Sequence, residues 1–147
     1  EIYEHPKNIF VASFLGVPQI NLIEGNLLEE SGQLFFQSAG VRVNLAGVNQ
    51  SNFSKATSSQ VTLGIRAEDV LSVDPSNGAD VFTGKIKSIL PIGSDQFLEI
   101  RFSDLDQKSY FFRVGKEYRN VIDGIFNFQM NVNRLHIFDT QTTLSLI

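Results

Sequence analysis

From Ile125 to Val132 the chain alternates strictly, with Phe126, Phe128, Met130 and Val132 apolar and Asn127, Gln129 and Asn131 polar between them. A period of two puts successive side chains on opposite faces, so only a strand with one buried face satisfies it. Val41, Val43 and Leu45 alternate in the same way with Arg42, Asn44 and Ala46. Thirteen Phe and no Trp strengthen this reading, because aromatic side chains suit a pleated, half-buried surface. Strand-like runs cover 60–66, 81–90, 96–102, 108–114 and 134–138, and 67–70 is a helical turn at most. Residues 47–59 are polar around Phe53 and read as a loop. Glu29, Glu30, Ser31 and Gly32 punctuate two apolar runs as a hairpin does, and the run from Asp74 to Gly78 is a strong turn signal.

A weak repeat runs through this pattern. Gly25-Asn26-Leu27 opens one strand that turns and returns as Leu34-Phe35-Phe36; Gly84-Lys85-Ile86 opens another that turns at Pro91-Ile92-Gly93 and returns as Phe97-Leu98-Glu99-Ile100. Short strands with turns between them predict an all-β fold, an antiparallel barrel of the oligonucleotide/oligosaccharide-binding (OB) type built from two related halves. A single β-sandwich is the alternative. The chain's 147 residues can bury a sizeable core. A net charge of -4 with no basic run speaks against nucleic acid as a partner, and the absence of cysteine removes disulfide scaffolds and thiolate metal sites.

The first twenty-one residues behave differently. Ile9, Phe10 and Phe14 share one helical face, and Pro6 suits the first turn of a short helix. With no initiator Met, this stretch reads as the tail of a larger protein. A helical linker is expected over 1–19 and the barrel over 20–147.

Three blocks carry a family resemblance. The opening block holds Ile2-Tyr3-Glu4-His5-Pro6, the run from Asn8 to Gly16, Pro18 and Asn21. It resembles the junction after the nucleotide-binding domain in ATPase subunits of sugar-type ABC importers, the maltose and glycerol-phosphate kind. Leu63-Gly64-Ile65-Arg66-Ala67-Glu68 resembles that family's Leu-Gly-Ile-Arg-Pro-Glu signature, and Asp123-Gly124 followed by Arg134-Leu135-His136-Ile137-Phe138-Asp139 resembles its closing strand. The resemblance implies a C-terminal regulatory domain with a TOBE/MOP-like barrel that contacts a second copy of the subunit and helps hold two ATPase domains together. It further implies work with membrane subunits at the inner face of the plasma membrane, and regulatory proteins or small ligands as further partners. Tyr3, Pro6, Phe10, Phe14 and Gly16 would form the linker to the ATPase domain. Ala67 departs from the signature, where Pro would impose a rigid turn.

ATP and magnesium belong to that ATPase domain. Binding them needs a glycine-rich phosphate loop followed by Lys and Ser or Thr, and Gly84-Lys85 lacks both the spacing and the hydroxyl. No catalytic residue, cofactor or metal site is therefore expected in this chain. Arg66 and Glu68 are the sharpest polar candidates, as an interface pair or as a local ion pair at a strand end. Gly93 and Ser94 stand where the family often turns with Gly and polar residues, and His136 lies in the closing strand. Neither His5 nor His136 has acidic neighbours at metal-ligand spacing, and Asp104 and Asp106 read as a solvated hairpin tip. A second reading of the chain is a sensor whose groove between the two halves holds a small solute or an oxyanion.

Overall fold

The computed structural model describes residues 20–38, 41–48, 50, 53–74, 81–103 and 108–147. The linker expected over 1–19 and the tip at Asp104 and Asp106 lie outside these residues. Ten strands run in order: β1 (Asn21–Glu30), β2 (Gln33–Ser38), β3 (Val41–Asn44), β4 (Gln60–Ile65), β5 (Val70–Ser72), β6 (Phe82–Ile92), β7 (Asp95–Arg101), β8 (Tyr110–Gly115), β9 (Ile125–Met130) and β10 (His136–Asp139). Two 3-10 turns, Phe53–Lys55 and Val132–Arg134, are the helical elements among the described residues. The strands form two five-stranded sheets, ordered β10-β4-β1-β2-β3 and β5-β9-β6-β7-β8.

The repeat seen in the sequence is a structural one. Each half opens with a long strand that folds back through a two-residue turn. In the first turn Ser31 and Gly32 both have positive φ, 53° and 78°, as a type I′ hairpin needs; in the second Gly93 takes φ 57°. Gly25 faces Val61, and Gly84 faces Phe126 in the same place of the second sheet. A Cβ on Gly25 would lie 2.5 Å from Gln37 O and 2.6 Å from Phe36 Cζ, and one on Gly84 would strike Ile100 Cγ2. Both glycines therefore let a neighbouring strand pass close.

The halves exchange their last strands. β5 follows β4 in the chain yet joins the second sheet beside β9, and β10 follows β9 yet joins the first beside β4. The registers correspond: Leu71 faces Gln129 and Ser72 faces Phe128, while His136 faces Gly64 and Ile137 faces Leu63. Each crossover is the same turn, closed by Asp69 N–H donating to Arg66 O (3.0 Å) and by Arg134 N–H donating to Asn131 O (2.9 Å). The strand expected to reach Val132 thus stops at Met130, because the backbone must turn at Asn131 to cross between sheets. Asn131 Oδ1 caps that turn by accepting from Asn133 N–H (3.1 Å). The turn expected over 67–70 stands at 67–69, and β5 begins at Val70, where the sequence reading had no strand.

One core joins the two sheets. Ile23, Phe36, Val43, Val61 and Leu63 of the first pack in the same cluster as Leu98, Ile100, Phe112, Phe126 and Phe128 of the second. Two of the four sheet edges, β8 and β10, are met from within the chain. At β8, Asn21 Nδ2 donates to Phe111 O (2.8 Å), Phe111 N–H donates back to Asn21 Oδ1 (2.9 Å), and Arg113 N–H reaches Ala67 O (2.8 Å). At β10, Leu146 N–H donates to Ile137 O (2.8 Å) and the Leu146 side chain enters the core.

Candidate functional site at the strand crossovers

The polar candidates converge on the crossovers. Arg66 leaves the end of β4 and is only 3% exposed, so it is an interior residue and not an exposed interface cation. Ala67 is buried as well; the turn that Pro would stiffen is held here by the hydrogen bond from Asp69 N–H to Arg66 O. Glu68 is exposed. Asp69 Oδ1 lies 3.6 Å from Arg134 Nε, which joins residues at corresponding places in the two crossovers. Burial pushes the Asp69 carboxyl above its ordinary range; Arg134 pulls it down, Glu68 pushes it up and Arg66 pulls it down, in falling order of effect.

Beside this pair is a cavity of about 390 Å³ whose walls include Glu68, Asp69, Leu71, Gln129, Met130 and Asn131. A second, of about 500 Å³, lies between the halves, with Gln37, Ser38 and Arg42 on one side and Val81, Phe82 and Thr83 on the other. Arg42 is already engaged there, 3.0 Å from Glu30 Oε2 and 4.3 Å above the Phe35 ring.

His136 is 7% exposed on β10, its ring stacked 6.2 Å from that of Phe138. It follows the second crossover, so the structure brings it to the same end as Arg66 and Glu68. Gly93 and Ser94 sit apart, at the far end of β6 from Phe82, where Ser94 O accepts from Lys116 N–H (3.2 Å). Tyr3, Pro6, Phe10, Phe14 and Gly16 lie outside the described residues. Among the described residues no cluster of three or more His, Cys, Asp or Glu could hold a metal ion, and no helix is long and apolar enough to cross a membrane.

Sequence reasoning missed Asp69, Arg134, Gln129 and Asn131. Their signal was the repeat around Gly25 and Gly84, which, carried forward through β4 and β9, aligns Asp69 with Arg134. It also missed Asp139, whose carboxylate accepts from Thr57 N–H (2.6 Å), Thr57 Oγ1 (3.1 Å), Gln141 N–H (2.8 Å) and Thr142 N–H (3.3 Å). The Thr57 amide is the largest cause that holds this carboxyl below its ordinary range.

The second half carries a further surface. A bulge between Ile86 and Ser88 shifts β6 by one residue, which moves Leu90 and Ile92 to the outward face. There Leu90, Ile92, Phe111 and Ile125 are exposed, with Val121 and Ile122 in the segment before β9.

The profile of the MalK OB fold domain matches residues 16–70, which hold β1 to β4 and the first crossover. The xylose/arabinose import ATP-binding protein XacK of Haloferax volcanii is 32% identical over 111 residues, 76% of this chain and 27% of that protein. Residues 16–70 carry a MalK OB fold domain. Similarity to import ATP-binding proteins runs over nearly all of the chain: the sn-glycerol-3-phosphate import ATP-binding protein UgpC of Escherichia coli K12 is 28% identical over 142 residues, 97% of this chain and 37% of that protein. The chain thus spans 27% to 37% of the length of these relatives. Among solved structures, the molybdate-binding protein ModG aligns at a TM-score of 0.56 with 14% identity, over 80% of this chain and 94% of that one. At that identity the likeness is one of fold. The MalK OB fold match accords with the two interleaved β-halves.

Proposed function

We propose that this chain is the regulatory and dimerisation module of the ATP-binding subunit of an ABC importer for a sugar or a related solute. On this reading ATP and magnesium are handled elsewhere in the subunit, residues 20–147 form the module, and 1–19 link it to the ATPase domain. Its partners are a second copy of the subunit and, through the whole subunit, the membrane components at the cytoplasmic face. The names of the relatives support the importer, and the outward apolar face supports the docking role. Leu90 and Ile125 are 58% and 60% exposed on the outward face of the second sheet, apolar side chains open to contact with another protein on either side of the Ser88-Glu99-Ser109 hydrogen bonds.

The test is the self-association of the complete ATP-binding subunit carrying Leu90→Glu and Ile125→Glu, followed by sedimentation. The paired charges are expected to weaken association by about tenfold or more, since desolvated central contacts dominate such interfaces. Unchanged association would place the docking surface elsewhere.

A further inference from the structure

We propose that the cavity between the Glu68-Asp69 turn and the end of β9 binds a neutral, hydroxyl-rich solute of monosaccharide or short polyol size. Its volume of about 390 Å³ falls in the lower part of the ~300–1,000 Å³ range of small-molecule sites. The residues that line it bring the carboxylates of Glu68 and Asp69 and the carboxamides of Gln129 and Asn131 together with Leu71, which is exposed on the same face of the sheet as Gln129. Hydroxyl groups donate to carboxylates and both donate to and accept from carboxamides, while the C–H face of a polyol packs on an apolar side chain. Asn131 Oδ1 is taken by Asn133 N–H, which leaves the Asn131 amino group to face a ligand oxygen.

Asp69 supplies an independent sign of an absent donor. Its side chain is 10% exposed, and its Oδ2 is buried with no hydrogen-bond partner among the described residues. Nine in ten buried polar groups have such a partner, so the exception calls for one. That oxygen is closed to water, so a ligand hydroxyl supplies the donor by drawing the Asp69 side chain towards the cavity.

Charge selects the class of ligand. Arg134, 3.6 Å from Asp69 Oδ1, with Arg66 also acting on that carboxyl, already offsets its charge, so the site does not call for a cation. The exposed Glu68 carboxylate at the cavity wall opposes an anion. A ligand here would touch the first crossover through Glu68 and Asp69 and the second through Asn131, tying the two halves together where they exchange strands. That regulatory consequence rests on the importer reading; the binding does not.

The experiment is an amide chemical-shift titration of the 147-residue chain with glycerol, D-glucose and maltose, run beside ethylammonium and sulfate. The expected result is a saturable shift centred on Asp69, Leu71, Gln129 and Asn131 for at least one polyol. The variants Gln129→Ala, at a half-buried position, and Glu68→Gln, at an exposed one, should each weaken it, Gln129→Ala by about tenfold. The proposal is overturned by no saturable shift with any polyol, by saturation with ethylammonium or sulfate instead, or by an unchanged affinity in Gln129→Ala. No polyol binding to the unaltered chain with subunit association intact would refute the site alone, and intact binding in a subunit whose association ignores this module would refute the regulatory reading alone.

Discussion

Replacing Phe128 by Ala should lower the stability of both halves together. Phe128 is fully buried on β9, with the rings of Phe112, Phe126, Phe82 and Phe102 centred 4.9, 5.1, 5.8 and 6.1 Å from its own. Removing it forfeits roughly 1.5–3 kcal/mol of apolar transfer. The cavity left behind among rings that cannot collapse inward brings the total to about 3–5 kcal/mol. For a chain of this length that corresponds to a fall in Tm of roughly 6–20 °C. Calorimetry reads the midpoint, and amide hydrogen exchange reads where protection is lost. Because β5 and β10 are exchanged and one cluster joins the sheets, Val43 in the first sheet and Phe112 in the second should lose protection in parallel. Phe128→Leu, which keeps most of the volume, should show a smaller version of the same change. Two calorimetric transitions, or a first sheet that keeps its protection while the second loses it, would refute the interleaved core.

Gly25→Ala should destabilise by about 1–3 kcal/mol in urea denaturation, since the new Cβ meets the rigid backbone oxygen of Gln37. Gly93→Asn, in open space at φ 57° and in a conformation Asn tolerates, should stay within about 1 kcal/mol of the parent chain. Asp139 has a folded-state pKa below its unfolded value, so its contribution to stability is present above the ordinary carboxylate range and is lost as pH falls through the lower folded value. Asp139→Asn should therefore be less stable near neutrality and show a flatter decline between neutral and acidic pH; parallel profiles for the two proteins would contradict the assigned hydrogen bonds.

Local periodicity made the strands legible and left their partners obscure. Phe126, Phe128 and Met130 announced β9 because a half-buried strand writes its burial into every second residue. β5 could not announce itself, as Val70–Ser72 is too short to show a period. The exchange of β5 and β10 is a choice among long-range pairings, and nothing local to Val70 or His136 states which sheet each joins. The bulge after Ile86 is equally silent, so Leu90 looks like a core residue until its register is known. At the candidate site, Arg66 and Glu68 stood out through a contiguous motif. Asp69 and Arg134 did not, because they are distant in sequence and meet only once two crossovers are folded against each other. The Gly25 and Gly84 echo was the one sequence signal reaching that far, since close strand approach constrains both positions in the same way.

The regulatory role is tested most directly by measuring whether complete ATP-binding subunits remain paired when nucleotide is withdrawn, with and without residues 20–147. The intact subunits are predicted to sediment as pairs in the absence of ATP, and the truncated ones to separate while still binding nucleotide. Truncated subunits that stay paired without ATP would contradict the role assigned to this chain.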